Sequence, residues 1–176
     1  MNTLTKFKHW QIFIIIGGLI GLFVAFSEIQ VDLGFISSRE LRPLFGVLGV
    51  IAMFIWILSI GYLTNNIPSN PYRFKNGLFI FATILCIIGY STLHITPIFT
   101  DRIPNLGLMT APLTPFTFFG VVYIFYNVPR SLKSLEVGRK VGFGECIVDA
   151  LLLFFAPIGV WIIQPKINKI GNDISK

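Results

Sequence analysis

The sequence predicts an all-α, polytopic membrane bundle: four transmembrane helices plus a fifth, broken hydrophobic helix, in one membrane domain over residues 1–176. Three observations carry that prediction. Charged residues make up 12% of the chain and its mean hydropathy is +0.77, whereas soluble domains carry about 25% charge. Eighteen phenylalanines exceed the needs of a soluble core of this size and suit a surface facing lipid. Long uncharged runs alternate with short polar connectors that hold nearly all the lysines and arginines. In a soluble protein the net charge of +6 would suggest nucleic acid. Basic residues placed between apolar runs instead orient helices in a bilayer, so no nucleic-acid partner is expected.

The first span covers residues 10–29, and its uncharged part, 10–27, has 18 residues, enough to cross hydrocarbon. Gly17 and Gly21 leave a flat stripe where another helix can approach, a candidate face for a homo-oligomer or a partner membrane protein. Ala25-Phe26-Ser27 before Glu28 also fits a signal-peptide cleavage site. Glycines within the run and the many later spans favour a retained helix. Ser37 with Glu40 fits a capping box ahead of the second span at 44–63, about 30 Å of helix. Residues 64–76, TNNIPSNPYRFKN, form a turn-rich loop with Pro68, Pro71, Arg73 and Lys75.

The third span, 77–96, is uncharged apart from His94, and a connector carrying Asp101 and Arg102 follows at 97–105. The fourth span, 108–128, is interrupted early by Pro112 and Pro115. Residues 129–140 then read as the most basic loop, with Arg130, Lys133, Arg139 and Lys140 placed on anionic lipid headgroups at about 1 kcal/mol each. Cys86 and Cys146 lie in or beside apolar segments and read as small packing residues rather than a disulfide.

Charge sets the orientation. With the N-terminus in the cytoplasm, Lys6, Lys8, Arg73, Lys75, Arg130, Lys133, Arg139 and Lys140 lie inside and Arg39, Arg42 and Arg102 outside, eight against three. The segment 141–168 is harder to place. Its uncharged run, 150–165, has 16 residues, about 24 Å of helix and short of the hydrocarbon thickness. Extending it brings in Asp149 and Glu145; a central carboxylate costs about 2.5–3.5 kcal/mol, against about 3–6 returned by the apolar residues. A crossing would export Lys166, Lys169 and Lys176, giving eight against six; a re-entrant or interfacial segment keeps eleven against three. Charge therefore favours a non-crossing element, with Pro157 and Gly159 as the expected break. A short fifth span is the alternative.

Candidate polar sites follow from the same reading. Glu145 and Asp149 stand one helical turn apart, which puts both on one face. Intramembrane carboxylates mark ion or proton sites; at headgroup level the same pair is simply solvated or paired with Arg139 or Lys140. His94, with Tyr90 a turn earlier and Ser91 nearby, is a candidate relay or pH sensor; an interfacial histidine with one hydrogen bond is the plainer reading. Thr110, Thr114 and Thr117 share a face and either line a polar pathway or satisfy backbone groups freed by the prolines. Neither histidine has a ligand-spaced partner, so no metal or cofactor is expected. No P-loop, His-Glu-x-x-His, Gly-x-Ser-x-Gly or dinucleotide fingerprint occurs, and no catalytic residues are assigned.

Residues Phe155-Ala-Pro157-Ile-Gly159-Val-Trp161-Ile-Ile-Gln164-Pro165-Lys166-Ile-Asn168 resemble the closing motif of small uncharacterised bacterial multi-span proteins. That motif runs Phe-Pro-Ile-Gly-Ile-Trp, two apolar residues, then Gln-Pro-Arg/Lys and an Asn; here Ala156 stands where Phe is frequent. The resemblance covers about 25 residues and implies a bacterial inner membrane location without an activity. The expectation is a non-enzymatic accessory or sensory subunit. Its alternatives are a small transporter or channel using Glu145 and Asp149, and a membrane-embedded enzyme acting on lipid.

Overall fold

A helix that is apolar on every side has no stable face to show water, and three helices of this protein are of that kind. A computed structural model of the chain describes residues 8–28, 38–99, 108 and 110–174. Six α-helices follow in order among them: α1 (His9–Glu28), α2 (Ser38–Asn66), α3 (Asn76–Phe99), α4 (Leu113–Val137), α5 (Ile147–Phe154) and α6 (Ala156–Ile174). A 3₁₀ turn at Phe143–Cys146 leads into α5. Stretches of α1, α2 and α3 (His9–Phe26, Leu41–Asn66 and Asn76–Thr96) are long and apolar enough to cross a membrane. Only 11% of the α1 stretch is buried within the protein, so its apolar surface is left for lipid. The protein is membrane-embedded.

Helices α1 to α4 run antiparallel in sequence. Phe26 stacks on Phe45 (5.4 Å) and His94 meets Phe23 edge-on (5.1 Å) at one end. At the other, the Asn65 amide donates to the Phe74 carbonyl (2.8 Å) and the Asn70 amide reaches Ser131. This second end, built from residues 64–76 and 129–146, carries Arg73, Lys75, Arg130, Lys133, Arg139 and Lys140 and is hereafter the basic end. One core joins all six helices: Ile16, Phe54, Phe79, Ile124, Leu153 and Ile163, one from each, are at most 1% exposed.

The span expected at 108–128 is broken early at Pro112: residues 108 and 110 are helical, 111–112 form a turn, and α4 starts only at Leu113. Pro115 does not interrupt it. Pro112 is its N-cap residue and Pro115 lies in the first turn, where a missing N–H costs no helical bond. At its far end Pro129 lies inside α4, so residues 129–137 are helix, not loop. Ser131, Leu132 and Ser134 pack inward there, and Lys133 pairs with Glu136 at 3.0 Å. That packing outweighs the one lost hydrogen bond. What stops α4 is Gly138, at φ 73° with its N–H on the Ser134 carbonyl (2.9 Å), a left-handed cap that a residue with a Cβ adopts at about 1–2 kcal/mol.

The hydrophobic segment after it is broken, but at Phe155 rather than at Pro157 and Gly159. Phe155 has φ −88° and ψ 59°. Its N–H closes α5 on the Leu151 carbonyl, and its own carbonyl accepts from Ile158 and Gly159 to open α6. Pro157 therefore falls in the first turn of α6, where proline belongs. Gly159 serves instead as the contact between the two helices, because a Cβ there would overlap the Leu152 carbonyl. Phe154 packs edge-on against Phe125 (6.0 Å), midway along α4, so the turn of this hairpin lies at about half the depth of the bundle. The Ser37–Glu40 capping box and the Asp101–Arg102 connector involve residues outside those described; α2 begins at Ser38.

Gly159→Val should force α5 and α6 apart and lower stability by about 1–3 kcal/mol. Gly144→Val, with nothing within 4 Å of the new Cβ, should leave it unchanged. Thermal unfolding of both variants in micelles checks this, and equal midpoints would contradict the tight crossing.

Candidate functional site

Of the buried polar residues, Thr64, Asn65, Asn70, Ser131 and Ser134 belong to the basic end, and Asn127 and Asp149 are bonded to its residues or to partners of them. The centre of this end is a four-residue charge cluster. Lys166 of α6 donates to Asp149 of α5 at 2.9 Å and to Glu136 of α4 at 3.0 Å, and Lys133 reaches the other oxygen of Glu136 at 3.0 Å. The Asp149 side chain is 5% exposed and that of Lys166 31%. Burial works against the charged form of Glu136, but hydrogen bonds from Lys133 and Lys166 outweigh it and hold the carboxyl below its ordinary 4.5. Burial likewise opposes the Lys166 ammonium, and the bonds from Asp149 and Glu136 overcome it and raise the group above 10.5.

Polar and aromatic contacts fix α6 to the rest of the bundle. Gln164, fully buried, accepts from the Trp56 indole of α2 (3.0 Å) and donates to Asn168 (2.9 Å). Trp161 packs on His9 (4.6 Å) and edge-on to Phe13 (5.4 Å) of α1. Beside the hairpin, Asn70 donates to the Thr64 carbonyl (2.7 Å) and the Ser131 hydroxyl (3.0 Å) and accepts from the Tyr72 N–H (3.0 Å). The Tyr72 hydroxyl donates to Asn127 (2.7 Å). Burial raises the Tyr72 phenol, with the nearby Arg130 charge working against that rise. The Arg130 guanidinium lies 4.4 Å over the Tyr72 ring and 4.7 Å over Tyr126, and its Nε donates to the Val141 carbonyl (3.2 Å).

The two carboxylates paired in the sequence reading part company in the structure. Glu145 lies in the 3₁₀ turn, exposed, and receives Arg139 at 2.6 Å. The Arg139 hydrogen bond, then the Gly142 N–H, keep its carboxyl below the ordinary range. Asp149 turns into the protein toward Lys166. The four basic candidates also divide: Lys133 and Arg139 are bound to carboxylates, whereas among the described residues Arg130 and Lys140 are not.

Away from the basic end, Thr110, Thr114 and Thr117 do line one groove of about 630 Å³, together with Tyr90, Thr92 and Thr96. Thr92, Thr96 and Thr117 each donate to the carbonyl four residues earlier on their own helix, satisfying helical backbone rather than marking a route. His94 packs between Phe23 and Gly46, and among the described residues no hydrogen bond joins it to Tyr90 or Ser91. Gly21 has open space where a Cβ would go, and Gly17 meets only Phe13 of its own helix, so among the described residues no other helix packs on that stripe.

The chain matches no protein-family model, no curated protein and no solved structure. Its functional reading therefore comes from its own residues. Sequence reasoning missed Glu136, Gln164 and Lys166 as site residues. Lys166 and Gln164 carried a signal, since both belong to the Gln-Pro-Lys stretch; Glu136 had none beyond its place among basic residues.

Lys166→Met leaves Asp149 buried without its cation and should cost about 3–5 kcal/mol, toward the lower figure because the ammonium is partly wet. Arg139→Gln, in an exposed pair, should leave stability nearly unchanged. In a Cys86→Ser background, buried Cys146 should become open to a maleimide in Lys166→Met, and protection equal to wild type would refute the clamp. The pH window has a definite sign. Glu136 contributes above 4.5 and loses its contribution as pH falls through its lower folded value. Lys166 contributes below 10.5 and loses it as pH rises through its higher folded value. Maleimide protection of Cys146 should hold from about pH 5 to 10 and fail in acid; alkylation rates across pH 3–8, corrected for thiolate fraction, test this.

Proposed function

We propose that the chain is a multi-pass protein of a bacterial inner membrane, with a cytoplasmic N-terminus and the role of a non-enzymatic accessory or sensory subunit. Helices α1 to α4 each cross, and the α5–α6 hairpin enters from the cytoplasmic side and returns. The fourth crossing is supported by α4 running beside α3 from Thr117, packed on Gly89, to Ser131, bonded to Asn70 at the basic end. The returning hairpin is supported by the Asp149–Lys166 contact, and by Val148, Leu151, Phe155, Ile158 and Ile162, which stand exposed as hydrocarbon-facing residues would. Keeping Lys166, Lys169 and Lys176 inside also gives the larger charge bias.

One observation carries the non-enzymatic, non-transporting reading. Among the described residues the carboxylates near the hairpin are all bound to cations: Asp149, Glu136, Lys133 and Lys166 form one closed cluster, and Glu145 is held outside by Arg139. Groups in that state stabilise a shape. An open Gly17/Gly21 stripe and an apolar hairpin surface offer a neighbouring helix two places to pack. The transport alternative needs Asp149 to exchange Lys166 for an ion.

Proteoliposomes holding the full chain should pass neither protons nor monovalent cations above empty vesicles. Flux that disappears in Asp149→Asn would replace this reading with the transport one. Reporter fusions after Asn66, Gly138 and Asn172 should all report cytoplasm; a periplasmic signal from the third alone would make α5–α6 a fifth crossing.

A further inference from the structure

An apolar groove of about 440 Å³ runs between α3 and α4, lined by Leu78, Phe81, Leu85, Phe116, Phe119 and Tyr123 among others. Its polar groups are confined to one end, where Tyr126 and Asn127 complete the lining. That is the basic end. Asn127 is the residue bonded to the Tyr72 hydroxyl, and Tyr126 is one of the two rings under Arg130. Arg130 does not itself line the groove but lies one ring beyond this end, against Tyr126.

Unlike Lys133 and Arg139, Arg130 has no carboxylate partner among the described residues. Its Nε donates to Val141 and one Nη1 hydrogen to Tyr72, which leaves three of a guanidinium's five N–H groups without an acceptor among the described residues. Its guanidinium carbon lies over both the Tyr72 and Tyr126 rings, contacts that restrain the side chain together with the Val141 carbonyl. Arg73, whose donors go only to the Ile67 and Pro68 carbonyls, and Lys75, three residues before Leu78, add positive charge nearby. A planar, restrained guanidinium with free donors matches the oxygens of a phosphate.

We propose that this groove binds an anionic phospholipid, with one acyl chain between α3 and α4 and its phosphodiester on Arg130. A groove of this composition alone would hold any lipid tail. The uncancelled charge at its mouth selects headgroups with net negative charge over zwitterionic ones, whose ammonium would meet the same basic cluster. The site rests on membrane embedding and not on the accessory role, so this inference and the flux result fail independently.

The full chain, delipidated in micelles, is titrated with phosphatidylglycerol and with phosphatidylcholine of identical acyl chains, followed by thermal unfolding and by native mass spectrometry. Phosphatidylglycerol should bind about tenfold more tightly, the scale of charge-assisted hydrogen bonds. Arg130→Gln should erase that preference, weakening phosphatidylglycerol about tenfold and phosphatidylcholine less, because the phosphodiester both share loses its partner while only the anionic lipid also loses net charge attraction. Leu78→Trp, at a residue 48% exposed, should fill the groove and weaken both lipids. Arg139→Gln should change neither, and glycerol phosphate without acyl chains should not shift unfolding. Equal affinity for the two lipids, a preference that survives Arg130→Gln, or wild-type lipid retention by Leu78→Trp would overturn the proposal. If Arg130→Gln does not fold, the lipid comparison in wild type and Leu78→Trp decides it.

Discussion

A carboxylate taken out of water has to meet a cation, and at Asp149 that requirement sets the course of the last forty residues. Moving an ion of that size into the protein interior costs several kcal/mol even after relaxation, and a partner of good geometry is what offsets it. The partner here is Lys166, 17 positions later and 2.9 Å away. In one continuous helix the two would stand about 25 Å apart. The pair can therefore exist only if the chain folds back, and the backbone supplies the fold at Phe155. The charge cluster and the helix break are one device. Glu136 completes it by taking the second side of the ammonium, which ties the hairpin to α4.

The face that α6 turns inward follows from the same arrangement. Ala156, Val160, Ile163 and Ile167 recur at helical spacing and are buried. Between them Gly159 touches α5, Trp161 touches α1, Gln164 touches α2 and Lys166 touches α4 and α5. Each neighbour is met by a different chemistry: close backbone packing, a ring, an amide and a charge. A fully buried glutamine is costly unless satisfied, and the Trp56 indole together with Asn168 satisfies it. These specific partners give the short hairpin a single register against the bundle, which apolar packing alone would leave less defined.

What the sequence made legible was the long apolar helices, because these depend on local sums of hydropathy and on length. The spans at 44–63 and 77–96 lie inside α2 and α3, and the first span matches α1 nearly end to end. Breaks were read less well. Pro112 does mark a break in the fourth span, yet Pro115 and Pro157 sit in first turns and Pro129 is carried by packing of its neighbours. Gly138, whose left-handed cap does end α4, was a readable stop signal among the basic residues. The site was the least legible part, since its bonds join residues far apart in sequence: Asp149 to Lys166, Asn70 to Ser131, Trp56 to Gln164. Spacing of four between Glu145 and Asp149 suggested a shared face, but the 3₁₀ turn rotates Glu145 away from the α-helical register that begins after it.

The basic residues divide by what they touch, and that division says more than their number. Lys133, Lys166 and Arg139 are neutralised by Glu136, Asp149 and Glu145, so they shape the protein and add little to the field it presents. Positive charge that reaches the surroundings at this end comes from residues without a carboxylate, Arg130 chief among them. An isolated surface lysine attracts an anionic bilayer weakly and without direction. Arg130 differs because two tyrosine rings and a backbone carbonyl restrain its side chain before any ligand arrives, reducing the entropy lost on binding. In the proposed lipid site, diffuse attraction to headgroups and a defined phosphate contact would come from the same charge, with the ordering of the side chain separating them.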